Sequence, residues 1–151
     1  MKKKSDRQKL YEKLDEINFK KQKPKQASIG KIENKLWSLC KRLIRKLYGN
    51  TCYTCDKKGL TGVDWQTGHY IPRSVCGAYL KYDLRNLRPQ CVRCNKWLGG
   101  NWVSFRERLI LTEGEAYVSQ LHEDKCQMVD AREHWESLVE LYKLKAEELG
   151  A

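Results

Sequence analysis

Cys52-Tyr53-Thr54-Cys55 and Cys91-Val92-Arg93-Cys94 decide how the middle of this chain folds. Two residues between paired cysteines let both thiolates reach one ion from a tight turn. Two such pairs complete a tetrahedron with no open position, the donor set of a structural zinc site. Four unrelated buried or redox thiols are the alternative, and the paired C-x-x-C spacing favours the metal. The segment between the pairs has little apolar core of its own. Structural zinc can supply on the order of 10 kcal/mol of folding free energy, so Cys52, Cys55, Cys91 and Cys94 are expected to hold it together. The chain carries seven cysteines, an odd number. Its basic start, Met1-Lys2-Lys3-Lys4-Ser5, leads into Asp6-Arg7-Gln8-Lys9 with no apolar stretch. No ordinary secretory signal is expected there, and a cytosolic setting keeps thiols free for metal.

Helices flank this centre. Residues 1–30 are expected to form a basic arm: Ser5 and Gln8 fit a capping box, Leu10, Leu14 and Ile17 share a face, and Lys20, Lys21, Lys23 and Lys25 follow. Ile32, Leu36, Cys40, Leu43, Ile44 and Leu47 keep a helical period over 31–48, and Gly49 supplies a stop. Cys40 lies on that stripe and belongs to the core. Val63-Asp64-Trp65 and His69-Tyr70-Ile71 are expected as two short strands joined by a turn at Gln66-Thr67-Gly68, with a loop from Arg73 to Arg88. A helix is expected to begin near Cys91. Asn101 can cap a helix through Trp102, Phe105, Leu109 and Ile110. A shorter helix spans 115–126, and Asp130 with Glu133 caps a last one through Trp135, Leu138, Leu141, Tyr142 and Leu149. The fold class is therefore α+β and mostly helical. It divides into the arm 1–30, a helix with the zinc-bound core over 31–114, and a helical extension over 115–151.

Lys and Arg number 30 against 19 Asp and Glu, a formal charge of +11. Neutralised phosphates release counterions, so a polyanionic partner, DNA or another nucleic acid, follows more naturally than a membrane surface. No apolar run is long enough to cross a bilayer. Arg73, Lys81, Arg85, Arg88, Arg93 and Lys96 crowd the centre, with Tyr70, Tyr79, Tyr82, Trp97 and Trp102 between them. The charges suit DNA phosphates. The aromatics offer either stacking platforms for unpaired bases or packing around the zinc, and for the tryptophans packing is the favoured reading. His122, His134, Cys76 and Cys126 join no second ligand set, and Cys76 sits in a loop that can expose it.

A closed zinc site does no chemistry, so catalysis would have to come from residues around it. Gly68-His69-Tyr70-Ile71-Pro72, Asn86-Leu87-Arg88-Pro89-Gln90-Cys91 and Cys94-Asn95 together resemble the HNH, or ββα-metal (His-Me finger), nuclease superfamily. With both cysteine pairs the likeness covers residues 52–96. Leu36-Trp37-Ser38-Leu39-Cys40, the Gly68-His69-Tyr70 strand, Gln90-Cys91-x-x-Cys94-Asn95 and Gly100-Asn101 before a helix resemble the phage NinG family, to which the lambda Rap recombination protein belongs. That likeness spans about residues 31–114.

The resemblance implies a zinc-stabilised ββα-metal core and a metal-dependent endodeoxyribonuclease acting on branched DNA such as Holliday junctions and D-loops. Carried over by position, His69 is the general base. Asn95 is a ligand of a catalytic Mg²⁺ or Mn²⁺. Asn86 pins the loop that orients His69, and Arg73 holds the scissile phosphate by a bidentate fork. Many HNH enzymes carry Asp directly before the histidine, where this chain has Gly68. Asp64 or Asp83 can stand in as the second ligand, or His69 can itself bind the metal. A non-catalytic zinc module that binds nucleic acid in phage recombination is the alternative. A zinc-stabilised protein whose helical tail recruits a partner is a third reading. A junction has two strands to cut, which suits a homodimer. Phage origin would place the protein in the cytoplasm of a bacterial host.

Overall fold

A computed structural model describes residues 27–151. The capping box at Ser5 and Gln8, the stripe Leu10–Leu14–Ile17 and the lysines of 20–25 lie outside the described residues. Helix α1 (Ile29–Tyr48) buries Ile32, Leu36, Leu39, Cys40, Leu43 and Ile44 on one stripe. Gly49 stops it: its φ of 71° favours a residue without a Cβ, and its N–H closes onto the Arg45 carbonyl at 2.8 Å.

The only sheet among the described residues has two antiparallel strands, β1 (Trp65–His69) and β2 (Leu87–Cys91). Trp65 stands opposite Cys91, Thr67 opposite Pro89, and His69 opposite Leu87. This corrects the expected hairpin. Gln66, Thr67 and Gly68 are not a turn but the middle of β1, because β2 pairs with each of them. Val63 and Asp64 belong to a 3₁₀ turn (Gly62–Asp64) before it. The expected loop from Arg73 to Arg88 contains a single helical turn, α2 (Gly77–Leu80), a 3₁₀ turn (Leu84–Asn86) and the start of β2. Directly after β2, residues Arg93–Trp97 wind as one π-helical turn, a widened winding often found at functional sites.

Three helices close the fold: α3 (Trp102–Glu113), α4 (Glu115–Asp124) and α5 (Ala131–Leu149). Asp130 caps α5 by accepting the Glu133 N–H at 2.9 Å. Two apolar clusters organise these elements. In one, Trp135, Val139, Tyr142 and Ala146 of α5 pack on the α1 stripe together with Trp65, Tyr82, Leu87 and the sulfurs of Cys52, Cys91 and Cys94. In the other, Phe105 and Leu109 of α3 meet Val118 and Leu121 of α4 over Tyr70, Ile71, Cys76 and Leu80. A fully buried leucine is worth about 2 kcal/mol, so these stripes fix α1 and α5 beside the sheet and α3 and α4 over the segment between its strands. The segment 115–151 shares both clusters with the centre. Cys76 is fully buried, not exposed as its loop position suggested. No helix among the described residues is long and apolar enough to cross a membrane.

Candidate functional site

At one end of the sheet Cys52, Cys55, Cys91 and Cys94 converge, their sulfurs all within 4.8 Å of one another. Cys55 and Cys91 are 3.8 Å apart, sulfur to sulfur. A tetrahedron of Zn–S bonds near 2.3 Å has an edge of about 3.8 Å, so the spacing fits a metal ion such as zinc. Hydrogen bonds also reach the sulfurs. The Cys94 N–H donates to Cys91 at 3.5 Å, and the Asn101 side-chain amide donates to Cys94 at 3.7 Å. Burial alone would raise the Cys52 thiol, but the Thr54 hydroxyl and nearby N–H groups outweigh it and hold it at about 6. Burial pushes Cys55 up to about 12. Ionised together, four sulfurs this close would need a cation between them, and one dication would serve all four. Asp64 sits at this end too. It accepts the Val92 N–H at 3.1 Å and pairs with Lys57 at 2.8 Å, so it braces the cysteine cluster.

The other end of the sheet opens into a cleft of about 590 Å³. His69, Arg73 and Asn95 all line it. His69 Nε2 lies 2.9 Å from the Lys81 backbone carbonyl. A carbonyl only accepts, so Nε2 carries the proton and Nδ1 keeps the lone pair. The ring stacks on Trp37 of α1, centroids 5.5 Å apart and planes 12° from parallel. Burial lowers the His69 pKa below its ordinary 6.5; the Lys81 carbonyl opposes this, while the charges of Arg73 and Lys81 add to it. Lys81 is itself clamped by Glu33 of α1 and lies 5.0 Å from the Trp135 ring.

Asn86 is fully buried and ties down the chain just past His69. Its Oδ1 accepts the Ile71 N–H at 2.7 Å, and its Nδ2 donates to the Ile71 carbonyl at 3.1 Å. Asn95 stands on the π-helical turn. Its Nδ2 donates to Gln66 Oε1 at 2.7 Å, and its Oδ1 has no hydrogen-bond partner among the described residues. Gly68 has no room for a side chain: a Cβ there would lie 1.9 Å from Gln90 Oε1. Gln90 is held over it by donating to Thr54 at 3.2 Å and to the Gly100 carbonyl at 2.7 Å. Asp83 caps the 3₁₀ turn at Arg85 and grips the Arg85 guanidinium. Among the described residues no carboxylate lines the cleft.

The basic residues singled out from sequence divide sharply. Arg93 and Lys96 are exposed. Lys81 is tied to Glu33, and Arg85 is shared between Asp83 and Asp124. Arg88, expected on the DNA face, is 1% exposed, pairs with Glu113 at 3.0 Å and packs over Tyr48 and Tyr53. It is a core residue and cannot meet a phosphate where it stands. The tryptophans depart the other way. Trp97 and Trp102 are 79% and 61% exposed instead of packing around the cysteines. Sequence reasoning missed Arg106, His122 and Lys125, which join the cleft from α3 and from α4 and the residue after it. His122 Nε2 sits 3.1 Å from the Tyr70 hydroxyl. Their signal was their place off the apolar stripes of two helices.

The whole chain, residues 1–151, matches the family model described as Bacteriophage Lambda NinG protein. The NinG protein of Salmonella phage P22 is 39% identical over 74 residues, 48% of this chain and 34% of that protein. Those of Escherichia phage 933W and Escherichia phage lambda are 38% and 37% identical over 71 residues, 46% of this chain and 33% of each relative. The match thus spans about a third of the length of these curated relatives. No solved structure matches the chain.

Proposed function

The chain belongs to the bacteriophage lambda NinG family, and from that premise we propose that it is an HNH-type, metal-dependent DNA endonuclease. It hydrolyses phosphodiester bonds in branched recombination intermediates such as Holliday junctions and D-loops. One observation carries this reading: His69 and Asn95, distant in sequence, line one cleft rimmed by Arg73, Arg106 and Lys125.

His69 is the general base. Its Nε2–H is spent on the Lys81 carbonyl, so Nδ1 is the atom that takes a proton from water. The lowered pKa keeps the ring neutral, and therefore basic, at neutral pH. Trp37 resists ring rotation. Asn95 Oδ1 would hold a divalent ion, Mg²⁺ or Mn²⁺, that when bound neutralises charge developing on the phosphate and the leaving 3′ oxygen. Mg²⁺ accepts oxygen ligands and keeps several waters. Among the described residues no carboxylate lines the cleft, so the ion's shell would rest mainly on DNA phosphate and water, with Asn95 as its protein ligand. Arg73, Arg106 and Lys125 hold the strand. Two copies of the chain, one per strand, suit a four-way junction, and the bacterial host cytoplasm suits the free thiols.

The second reading is a zinc-containing module that binds nucleic acid without cutting it, and the carboxylate-free cleft favours it. The deciding experiment incubates the protein with matched four-way, D-loop, linear duplex and single-stranded DNA, in Mg²⁺, Mn²⁺ or EDTA. The endonuclease cleaves branched DNA only with metal. His69→Ala then loses about 10²- to 10⁴-fold in rate while DNA affinity and zinc content hold. Binding without cleavage under either metal leaves the module.

A further inference from the structure

Trp97 and Trp102 are two large aromatic side chains left mostly in water, at 79% and 61% exposure, with Leu98 and Val103 exposed beside them. They flank a very tight turn. Gly99, Gly100 and Asn101 have φ of 56°, 90° and 48°, three successive residues in the left-handed region, where only residues lacking a branched Cβ sit comfortably. The turn is braced. The Gly100 N–H donates to the Cys94 carbonyl at 2.9 Å, and the Asn101 N–H donates to the Leu98 carbonyl at 2.8 Å. The Asn101 amide reaches the Cys94 sulfur, and Gln90 grips the Gly100 carbonyl. The two indoles therefore stand on a rigid mount fixed to the cysteine cluster, and Trp102 lines the cleft that holds His69 and Asn95.

Cations surround this apolar surface. Arg93 and Lys96 are exposed on the same π-helical turn. Arg106, four residues after Trp102 on α3, shares its face and lines the cleft. Arg106 also pairs with Glu115 at 3.3 Å on an exposed edge, while Arg93 and Lys96 have no ion pair among the described residues, and an apolar protein surface would offer those two none. An unpaired nucleotide offers a π-face for an indole and a phosphate for a cation, whereas a paired duplex hides its base faces. We propose that Trp97 and Trp102 are a stacking mount for unpaired bases of a DNA strand whose backbone lies in the adjoining cleft. The mount rests on the reading that the cleft takes DNA, and it supplies a means of telling branched from continuous duplex DNA.

The test measures affinity of the full chain for a duplex carrying a single-stranded gap and for a fully paired duplex with as many phosphates, at one salt concentration. Trp97→Ala and Trp102→Ala each weaken binding to the gapped duplex about tenfold and to the paired duplex less than about twofold. Phe at either position restores most of the loss, and Leu, apolar without a π-face, does not. Equal losses on both DNAs, or rescue by Leu as good as by Phe, overturn the proposal. So does a change in oligomeric state of the Ala variants with gapped-DNA affinity intact, which assigns the patch to a second copy of the chain. Tryptophan emission of the unsubstituted protein gives a check free of folding effects: the gapped duplex quenches it more than the paired one, and equal quenching overturns the mount. If the unsubstituted protein binds neither DNA with a steep salt dependence, the DNA reading itself fails, and the mount with it.

Discussion

At the Trp65–Cys91 end of the sheet every sulfur has a neighbour, and Asp64 and Asn101 complete the surroundings. At the other end, His69 of β1 and Asn95 of the π-helical turn line a cleft rimmed with cations. The closed end satisfies itself and holds the fold. The open end leaves polar atoms without partners among the described residues, and such atoms are where a substrate can bind. The two are coupled, since β1 runs from Trp65, opposite Cys91, to His69 in the cleft, and the π-helical turn carries Asn95 directly after Cys94.

The largest effect should come from breaking the closed end. Metal removal by a strong chelator, or Cys91→Ser, is expected to cost on the order of 10 kcal/mol of folding free energy. Cooperative thermal unfolding followed by circular dichroism should vanish or move far down in temperature. A chelated protein that melts unchanged would mean that the cluster does not hold the open end together.

A smaller effect sharpens the boundary between the ends, where Gln90 covers Gly68. Gly68→Ala is expected to cost about 2 kcal/mol in urea unfolding. The same change in a Gln90→Ala background should cost clearly less, because the obstructing amide is gone. Equal costs in both backgrounds would show that another contact governs the position.

The smallest effect belongs to the open end alone. Burial, chiefly, depresses the His69 pKa below 6.5 in the folded protein. The neutral ring is the base, so cleavage is full above that depressed value and is lost as pH falls through it. The acidic limb of the single-turnover rate should therefore lie below pH 6.5, with zinc content unchanged across the limb. A limb at or above that value would mean that another group is the base.

The closed end was readable in the sequence because C-x-x-C spacing is local: two residues of backbone bring the thiols of a pair together whatever else the chain does. Most of the stripes of α1 and α5 was readable from helical period, but Leu47 and Leu141, expected on them, are exposed, and Leu39, Val139 and Ala146 are buried instead. Strand β2 was not readable. Leu87-Arg88-Pro89-Gln90-Cys91 is buried at every position, so it shows no alternation, and Pro89 and Arg88 argue against a central strand. Gln66, Thr67 and Gly68 looked like a turn for want of that partner. Arg88 counts as surface by composition, yet Glu113 and two tyrosine rings let it be buried.

The sequence by itself determined which four cysteines cluster as a candidate metal site, the mostly helical class, the basic character, and His69, Asn86 and Asn95 as residues to watch. Tertiary structure alone decided that Trp37 and the Lys81 carbonyl orient the imidazole, that Gln66 turns the Asn95 amide, and that Arg106, His122 and Lys125 reach the same cleft. The reason lies in how distance is set along a chain. Covalent spacing fixes where near neighbours sit, but segments far apart meet only where their apolar faces are buried together, here α5 on α1 and α4 on α3.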